Sequence, residues 1–151
     1  MPPIWDINLR HLRALSVVAR LGSISAAAQA VSISQPAITQ AIAKLEAQCG
    51  LPFFERQPRG MVGTEAGLIF VQRVGSALRQ IGSPKVTATQ MRALIALADH
   101  GSYPAASAAT GLAQPSLHRA INDLSLVLRR TLTERRGRGI ALTEDGRRIV
   151  R

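Results

Sequence analysis

The chain is poor in cysteine, and this scarcity excludes several kinds of site. Cys49 is the single cysteine among 151 residues, so no disulfide can form within the chain. Three histidines and one cysteine do not supply a zinc ligand set. We therefore predict no metal site and no other cofactor, and we expect Cys49 to be a buried, inert thiol.

Aromatic residues and long apolar runs are also scarce. The aromatic residues are Trp5, Phe53, Phe54, Phe70 and Tyr103. So few rings argue against a single-strand binder that stacks bases on aromatic side chains. No run approaches the roughly 18 apolar residues of a membrane span, and the start "MPPIWDINLRHL" has no apolar signal core behind a basic head. We expect a soluble, cytoplasmic protein without membrane contact.

Acidic residues are few compared with basic ones. Nine Asp and Glu stand against 19 Lys and Arg, so the formal net charge is +10. A small protein this basic typically binds a polyanion, although an arginine-rich genome would give the same composition. Because acids are few and no Ser/His/Asp or paired-carboxylate arrangement stands out, we do not expect an enzyme.

The sequence repeats itself without a gap at a spacing of 79 residues. The stretch "SISQPAITQAI" returns as "GLAQPSLHRAI", and Glu55-Arg56 and Thr64-Glu65 fall on Glu134-Arg135 and Thr143-Glu144. A shared register of this length indicates a duplication, divided near the Gly-Ser-Pro linker at Gly82. We predict two units, residues 1–82 and 83–151. Residues 9–81 carry a net charge of +5 and residues 85–151 of +6, which suggests the same kind of partner for both.

The first unit has the pattern of a helix-turn-helix. Asn8 or an adjacent residue is a candidate N-cap of the first short helix and Ser23 of the second. Ser34 is a candidate N-cap of a third helix, in whose first turn Pro36 is tolerated. The inward stripe of this third helix is predicted to be Ile38, Ile42 and Leu45, and glycines follow the first and third helices. An exposed polar start on the third helix is typical of a recognition helix that enters the DNA major groove.

After Gly50 the pattern changes. The segment "PFFERQPRGMVGTEAG" predicts a two-stranded wing with a basic tip at Arg59, followed by a fourth helix that begins at Thr64-Glu65. Along one seam of that helix lie Phe70, Val74, Leu78 and Ile81.

These motifs resemble a known family. The run "LRHLRALSVVARLGSISAAAQAVSISQPAITQAIAKLEAQCGLPFFERQPRGMVGTEAG" is similar to the DNA-binding domain of LysR-type transcriptional regulators, and the second half is a more drifted copy. The resemblance implies a mainly α-helical fold: a winged helix-turn-helix with a three-helix core, a short β wing and a linker helix, here duplicated. It implies sequence-specific binding of double-stranded DNA and transcription regulation.

The family pairs through its linker helix and senses a small molecule with a C-terminal domain that has no counterpart before Arg151. We therefore expect either a fragment or a DNA-binding protein without an attached sensor, and we expect no effector to bind this chain.

The resemblance carries DNA-binding roles to particular positions in both units. In the recognition helices these are Ser34, Gln35, Pro36, Ala37, Thr39, Gln40, Gln114, Pro115, Ser116, His118 and Arg119. In the wings they are Arg56, Arg59, Arg135, Arg136 and Arg138. Ser34 and Pro36 also have a purely local role in starting a helix, and a structural salt bridge of Arg56 with Glu55 is the alternative to DNA contact.

The two recognition helices are not identical, which predicts different base preferences. Gln40 stands where the family commonly has Arg, and the second unit has Arg119 at that place. Gln pairs with adenine and Arg with guanine, each contributing about 1–3 kcal/mol of discrimination. A second unit that is a degenerate copy, kept for packing, is the alternative.

The linker-helix seam of Phe70, Val74, Leu78 and Ile81 predicts a homodimer contact, with packing on its own unit as the alternative. Because the second linker helix is short, we expect two chains joined through the first one, giving four winged units. A competing function is an interaction module that pairs with a full-length relative through this helix and modulates it.

Overall fold

A computed structural model describes residues 8–137 and 139–151. The chain forms two compact units, Met1–Arg79 and Gln80–Arg151. The elements up to the linker helix are α1 (Leu9–Leu21), α2 (Ile24–Val31), α3 (Gln35–Cys49), β1 (Phe54–Gln57), β2 (Gly60–Gly63) and α4 (Glu65–Ile81). They recur in the same order as α5 (Ala88–His100), α6 (Tyr103–Thr110), α7 (Gln114–Leu128), β3 (Thr133–Arg136), β4 (Gly139–Leu142) and α8 (Glu144–Val150). The duplicated winged helix-turn-helix, mainly α-helical, is confirmed.

The helix boundaries follow from local capping. The side chains of Asn8, Ser23 and Ser34 each accept a backbone N–H from the first turn of their helices, as predicted. At the other end, α1 and α3 are closed by Gly22 and Gly50 in the left-handed conformation. These short-range interactions fix the ends of α3, and so they fix which residues stand at its start.

Each unit has its own hydrophobic core, and the two cores use the same register. Six equivalent positions carry buried apolar side chains in both cores, and in the first core these are Leu15, Val18, Ile38, Ile42, Leu45 and Phe53. Those of the second are Leu94, Leu97, Leu117, Ile121, Leu124 and Leu132, each 79 residues further on. The predicted inward stripe of α3 is confirmed. Burial of each such side chain stabilises its unit by about 1.5–3 kcal/mol.

The fourth helix of each unit is fixed to the segment just before the first wing strand by a threonine and a glycine. Thr64 Oγ1 donates to the Pro52 carbonyl at 2.7 Å and accepts the Gly67 N–H at 3.0 Å, and Thr143 makes the equivalent bonds in the second unit. A Cβ on Gly67 would overlap the Phe53 carbonyl oxygen. The Thr-Glu-x-Gly motif is therefore a packing device that sets where α4 and α8 begin.

The expectation of a buried Cys49 is wrong, because its thiol is exposed. The inward stripe of α3 ends at Leu45, which is 4% exposed, and Cys49 is the last residue of the helix.

Among the described residues, no helix is long and apolar enough to cross a membrane.

Candidate nucleic-acid interface

The start of α3 presents a compact polar surface. Gln35, Pro36, Thr39 and Gln40 are exposed and line one shallow depression. Of the other two predicted residues, Ser34 is exposed and its Oγ accepts the backbone N–H of half-buried Ala37 at 3.4 Å. The structure therefore brings the predicted positions of α3 together, with Ser34 engaged in capping the helix.

Two hydrogen bonds restrain this surface. Gln35 Nε2 donates to Ser25 Oγ at 3.3 Å, which ties the start of α3 to α2. Thr39 Oγ1 donates to the Gln35 carbonyl at 3.0 Å. Since that bond uses the hydroxyl hydrogen, Thr39 can offer a partner its methyl group and an oxygen lone pair. The side chains that would meet a nucleic acid are thus partly ordered beforehand.

A second part of this surface was missed by the sequence analysis. Gln40 and Lys44 line a cavity of about 380 Å³ together with Asn8 and His11 from the start of α1. Lys44 lies one turn beyond Gln40 on the same face of α3, and that four-residue spacing was the available signal. The position of His11 across the cavity depends on the packing of α1 against α3, which a periodic pattern does not reveal.

The first wing is an antiparallel pair that projects two arginines. Arg56 pairs with Met61 across the strands, and Arg56 and Arg59 are both exposed. Neighbouring strand residues point to opposite faces, and neither ion pair that the structure gives within residues 8–137 and 139–151 involves Arg56. The salt bridge considered between Arg56 and Glu55 is therefore not formed.

This wing is fixed to the helical core by backbone contact. The Met61 N–H donates to the Gly22 carbonyl at 2.9 Å. Gly60 has φ +138°, and a Cβ on it would overlap the Gly22 carbonyl oxygen. The basic tip is thereby held at the C-terminal end of α1.

Helix α7, predicted to be the second recognition helix, exposes the same positions with different chemistry. Gln114, Pro115, Ser116, His118 and Arg119 are all exposed. Ala113 stands where the first unit has Ser34, and it provides no side-chain cap at the N-terminus of α7. The His118 ring stacks on Tyr103, with ring centroids 3.5 Å apart. Burial raises the pKa of Tyr103, and a side-chain hydrogen bond with Thr133 lowers it by less.

The second wing carries Arg135 and Arg136 on β3, both exposed. Arg138, also predicted to contact DNA, lies outside the described residues. Among the described residues of this unit, ion pairs join Arg130 to Asp145 at 3.5 Å and Arg147 to Glu144 at 3.1 Å. The wing arginines therefore project toward solvent from a strand whose register with β4 is regular.

The predicted dimerisation seam on α4 divides into two parts. Phe70 stacks on Phe53 with ring centroids 4.3 Å apart and packs against the core of its own unit. Val74, Leu78 and Ile81 continue along the helix and are half-buried. For Phe70 the alternative, packing on its own unit, is what the structure shows.

The comparisons with known proteins agree with this architecture. A family model described as "Bacterial regulatory helix-turn-helix protein, lysR family" matches residues 9–68 and again residues 88–147. The HTH-type transcriptional regulator GalR of Pseudomonas putida is 30% identical over 95% of this chain and 39% of its own length. The HTH-type transcriptional regulator CbbR of Sinorhizobium medicae is 42% identical over 44% of this chain and 21% of its own length.

A solved structure is also similar. The crystal structure of the CbnR DBD–DNA complex is 37% identical, covers 47% of this chain and 82% of that chain, and has a TM-score of 0.45. The chain spans less than half the length of the GalR and CbbR relatives. The double match of the family model covers more than half of the residues. This chain belongs to the LysR family of bacterial helix-turn-helix regulators, and it carries the family's DNA-binding domain twice.

Proposed function

We propose that this chain is a sequence-specific DNA-binding transcription regulator in which both units place a recognition helix in the major groove. The observation that carries the proposal is the repeated start of α3 and α7, where a Gln-Pro turn leaves a row of polar side chains exposed on a rigid three-helix core. A helix fits the major groove and reads base edges with such N-terminal side chains.

The two units would read different bases. Gln40 is suited to a bidentate contact with adenine, whereas Arg119 at the equivalent place is suited to guanine. The following turn differs as well, because the first unit has Lys44 where the second has Asp123. Lys44 lines the same cavity as Gln40, and from there its ammonium group can reach a phosphate beside the groove. Asp123, at the equivalent position of the second unit, would repel a phosphate.

The wings would add affinity for DNA but no preference for particular bases. Arg56 and Arg59 in the first unit, and Arg135 and Arg136 in the second, are exposed on short strands. Contacts from such side chains to phosphates, or into the minor groove, position a protein on the duplex. The net charge of +10 favours the same interaction over the whole chain.

We further propose that two chains pair through α4. Val74, Leu78 and Ile81 extend the apolar face of α4 past Phe70, which is anchored in its own core. At the start of α8 the residues equivalent to Leu68 and Ile69 are Arg147 and Arg148, so like charges would oppose a symmetric pairing of that helix. This asymmetry favours α4 as the contact between chains.

Selection from a randomised duplex DNA pool tests the DNA-binding proposal. The wild-type chain should enrich a site with two distinct parts. Gln40→Ala should relax preference in one part and Arg119→Ala in the other, each by about 5- to 150-fold in discrimination, the equivalent of about 1–3 kcal/mol. The matched controls are Gln80→Ala and Arg73→Ala, which remove the same side chains from exposed positions of α4 and should leave the site unchanged.

The outcomes separate the alternatives. If only Gln40→Ala alters the site, the second unit is a packing or partner surface, and a role as a modulator of a full-length relative gains support. If the wild-type chain enriches no sequence, the proposed function is wrong.

A further inference from the structure

Tyr103 links three elements of the second unit. Tyr103 is the first residue of α6 and is 7% exposed. On one side its ring meets the exposed imidazole of His118, on recognition helix α7, at 3.5 Å between centroids and 24° between planes. Its hydroxyl also interacts with the side chain of Thr133, the first residue of wing strand β3. One buried phenol therefore connects the recognition helix with the wing.

The first unit fills the same three places in another way. The equivalents of Tyr103, His118 and Thr133 are Ile24, Thr39 and Phe54, each 79 residues earlier. Phe54 is 8% exposed, so the large buried ring comes from the strand in the first unit and from the helix in the second. In the second unit the strand position is taken by the small, polar Thr133 and the helix position by the phenol of Tyr103. The three differences thus form one compensated exchange.

We propose that Tyr103 is a positioning residue that orders His118 for a base contact by the second unit. The imidazole would present a ring nitrogen to a hydrogen-bonding atom on a base edge in the major groove, such as a purine N7. His118 is exposed and lies next to Arg119 at the start of α7. The inference rests on the proposed DNA-binding function and adds a specificity residue, His118, together with its support, Tyr103.

The physical benefit is preorganisation. An exposed histidine samples several rotamers, and binding has to select one of them. A ring stacked on a buried partner has already lost that freedom during folding, so less is lost on binding. Loss of the Tyr103 ring should therefore weaken the second unit's discrimination between bases about 2- to 10-fold, although His118 itself is unchanged.

Three variants of the full chain test the inference by selection from the same randomised duplex pool. His118→Thr, the residue of the first unit, should alter preference at one base pair of the second part of the site. Tyr103→Ile should relax preference at that same base pair, and Tyr103→Phe, which keeps the stacked ring, should restore it. In Tyr103→Ile/His118→Thr the effects should not add, because the tyrosine acts through the histidine.

A readout on the free protein accompanies the selection. The chain has three histidines, so the ring protons of His118 are readily assigned by NMR. Their upfield ring-current shift should persist in Tyr103→Phe and disappear in Tyr103→Ile. Gln40→Ala, in the other unit, is the control and should leave the shift unchanged.

The results distinguish the inference from the proposed function. An unchanged base preference in Tyr103→Ile, with an altered one in His118→Thr, would overturn the positioning role only. An unchanged preference in His118→Thr would overturn the base contact, even if Arg119→Ala still alters the site. If the wild-type chain enriches no sequence at all, both proposals fall.

Discussion

Arg129 has a backbone conformation that favours glycine. It follows α7 with φ +53°, in the left-handed region, and its N–H bonds the carbonyls of Leu126 and Ser125. The equivalent residue of the first unit is Gly50, which ends α3 with φ +68°. A left-handed conformation costs a residue with a Cβ roughly 1–2 kcal/mol. The second unit therefore keeps the helix ending of the first at a cost in local strain.

Arg129→Gly should stabilise the second unit by about 1 kcal/mol, because relief of the strain exceeds the greater freedom that glycine has in the unfolded chain. The measurement is the midpoint of urea unfolding. Arg129→Ala is the matched control, since it removes the same charge and keeps a Cβ, and it should not stabilise. An equal gain from both variants would assign the effect to charge rather than to backbone conformation.

The two wings differ in how closely an equivalent glycine packs against backbone outside the wing. The strand pairs have the same register, with Gln57 opposite Gly60 and Arg136 opposite Gly139. In the first wing Gly60 lies directly against the Gly22 carbonyl, whereas a Cβ on Gly139 would have the Arg136 carbonyl oxygen, 3.8 Å away, as its nearest neighbour. The position of the first wing thus depends on close backbone packing against α1.

Gly60→Ala should displace the first wing, since the added methyl overlaps a backbone carbonyl and φ +138° is unfavourable for alanine. We expect a loss of about 1–3 kcal/mol in the free energy of unfolding of the first unit and weaker binding to DNA. Urea unfolding and a DNA titration measure the two effects. Gly139→Ala, in the second wing, is the control and should change little. Equal stability losses in the two variants would contradict the packing explanation.

At the scale of the whole molecule, duplication has produced two units with similar cores and different surfaces. Large exposed apolar side chains at the start of α4, Leu68 and Ile69, correspond to Arg147 and Arg148 in α8. Arg147 also donates to the Leu142 carbonyl at 2.7 Å, and this hydrogen bond holds its guanidinium group in place at the start of α8. The two fourth helices are therefore not equivalent as interaction surfaces.

Leu78→Glu should convert a dimer of this chain into a monomer, because it places a charge in the proposed contact of Val74, Leu78 and Ile81. Light scattering over a range of protein concentrations measures the mass. Gln80→Glu adds the same carboxylate at an exposed position of α4 and should leave the dimer intact. A monomeric wild-type chain, or a dimer that persists in Leu78→Glu, would reject pairing through this part of the helix.

The sequence by itself determined the fold and the repeat. Caps such as Ser34, helix-ending glycines and the stripe of Ile38, Ile42 and Leu45 are local signals, and the structure confirms each of them. Repetition at a fixed spacing made the duplication unambiguous, and the order of motifs carried the family resemblance that the family model confirms. The caps, glycines and stripe are readable because they depend on residues a few positions apart, and the repeat and motif order because they need only the linear sequence.

Tertiary structure alone decided which side chains meet across elements. Cys49 was expected to be buried and is exposed, since the core ends before the helix does. Phe70 was predicted to contact a second chain, with packing on its own unit as the alternative, and the structure shows it stacked on Phe53 of its own unit. The stack of His118 on Tyr103, and the cavity that brings His11 to Lys44, involve residues 15 or more positions apart. The distance between such residues is set by helix packing, which a one-dimensional pattern does not contain.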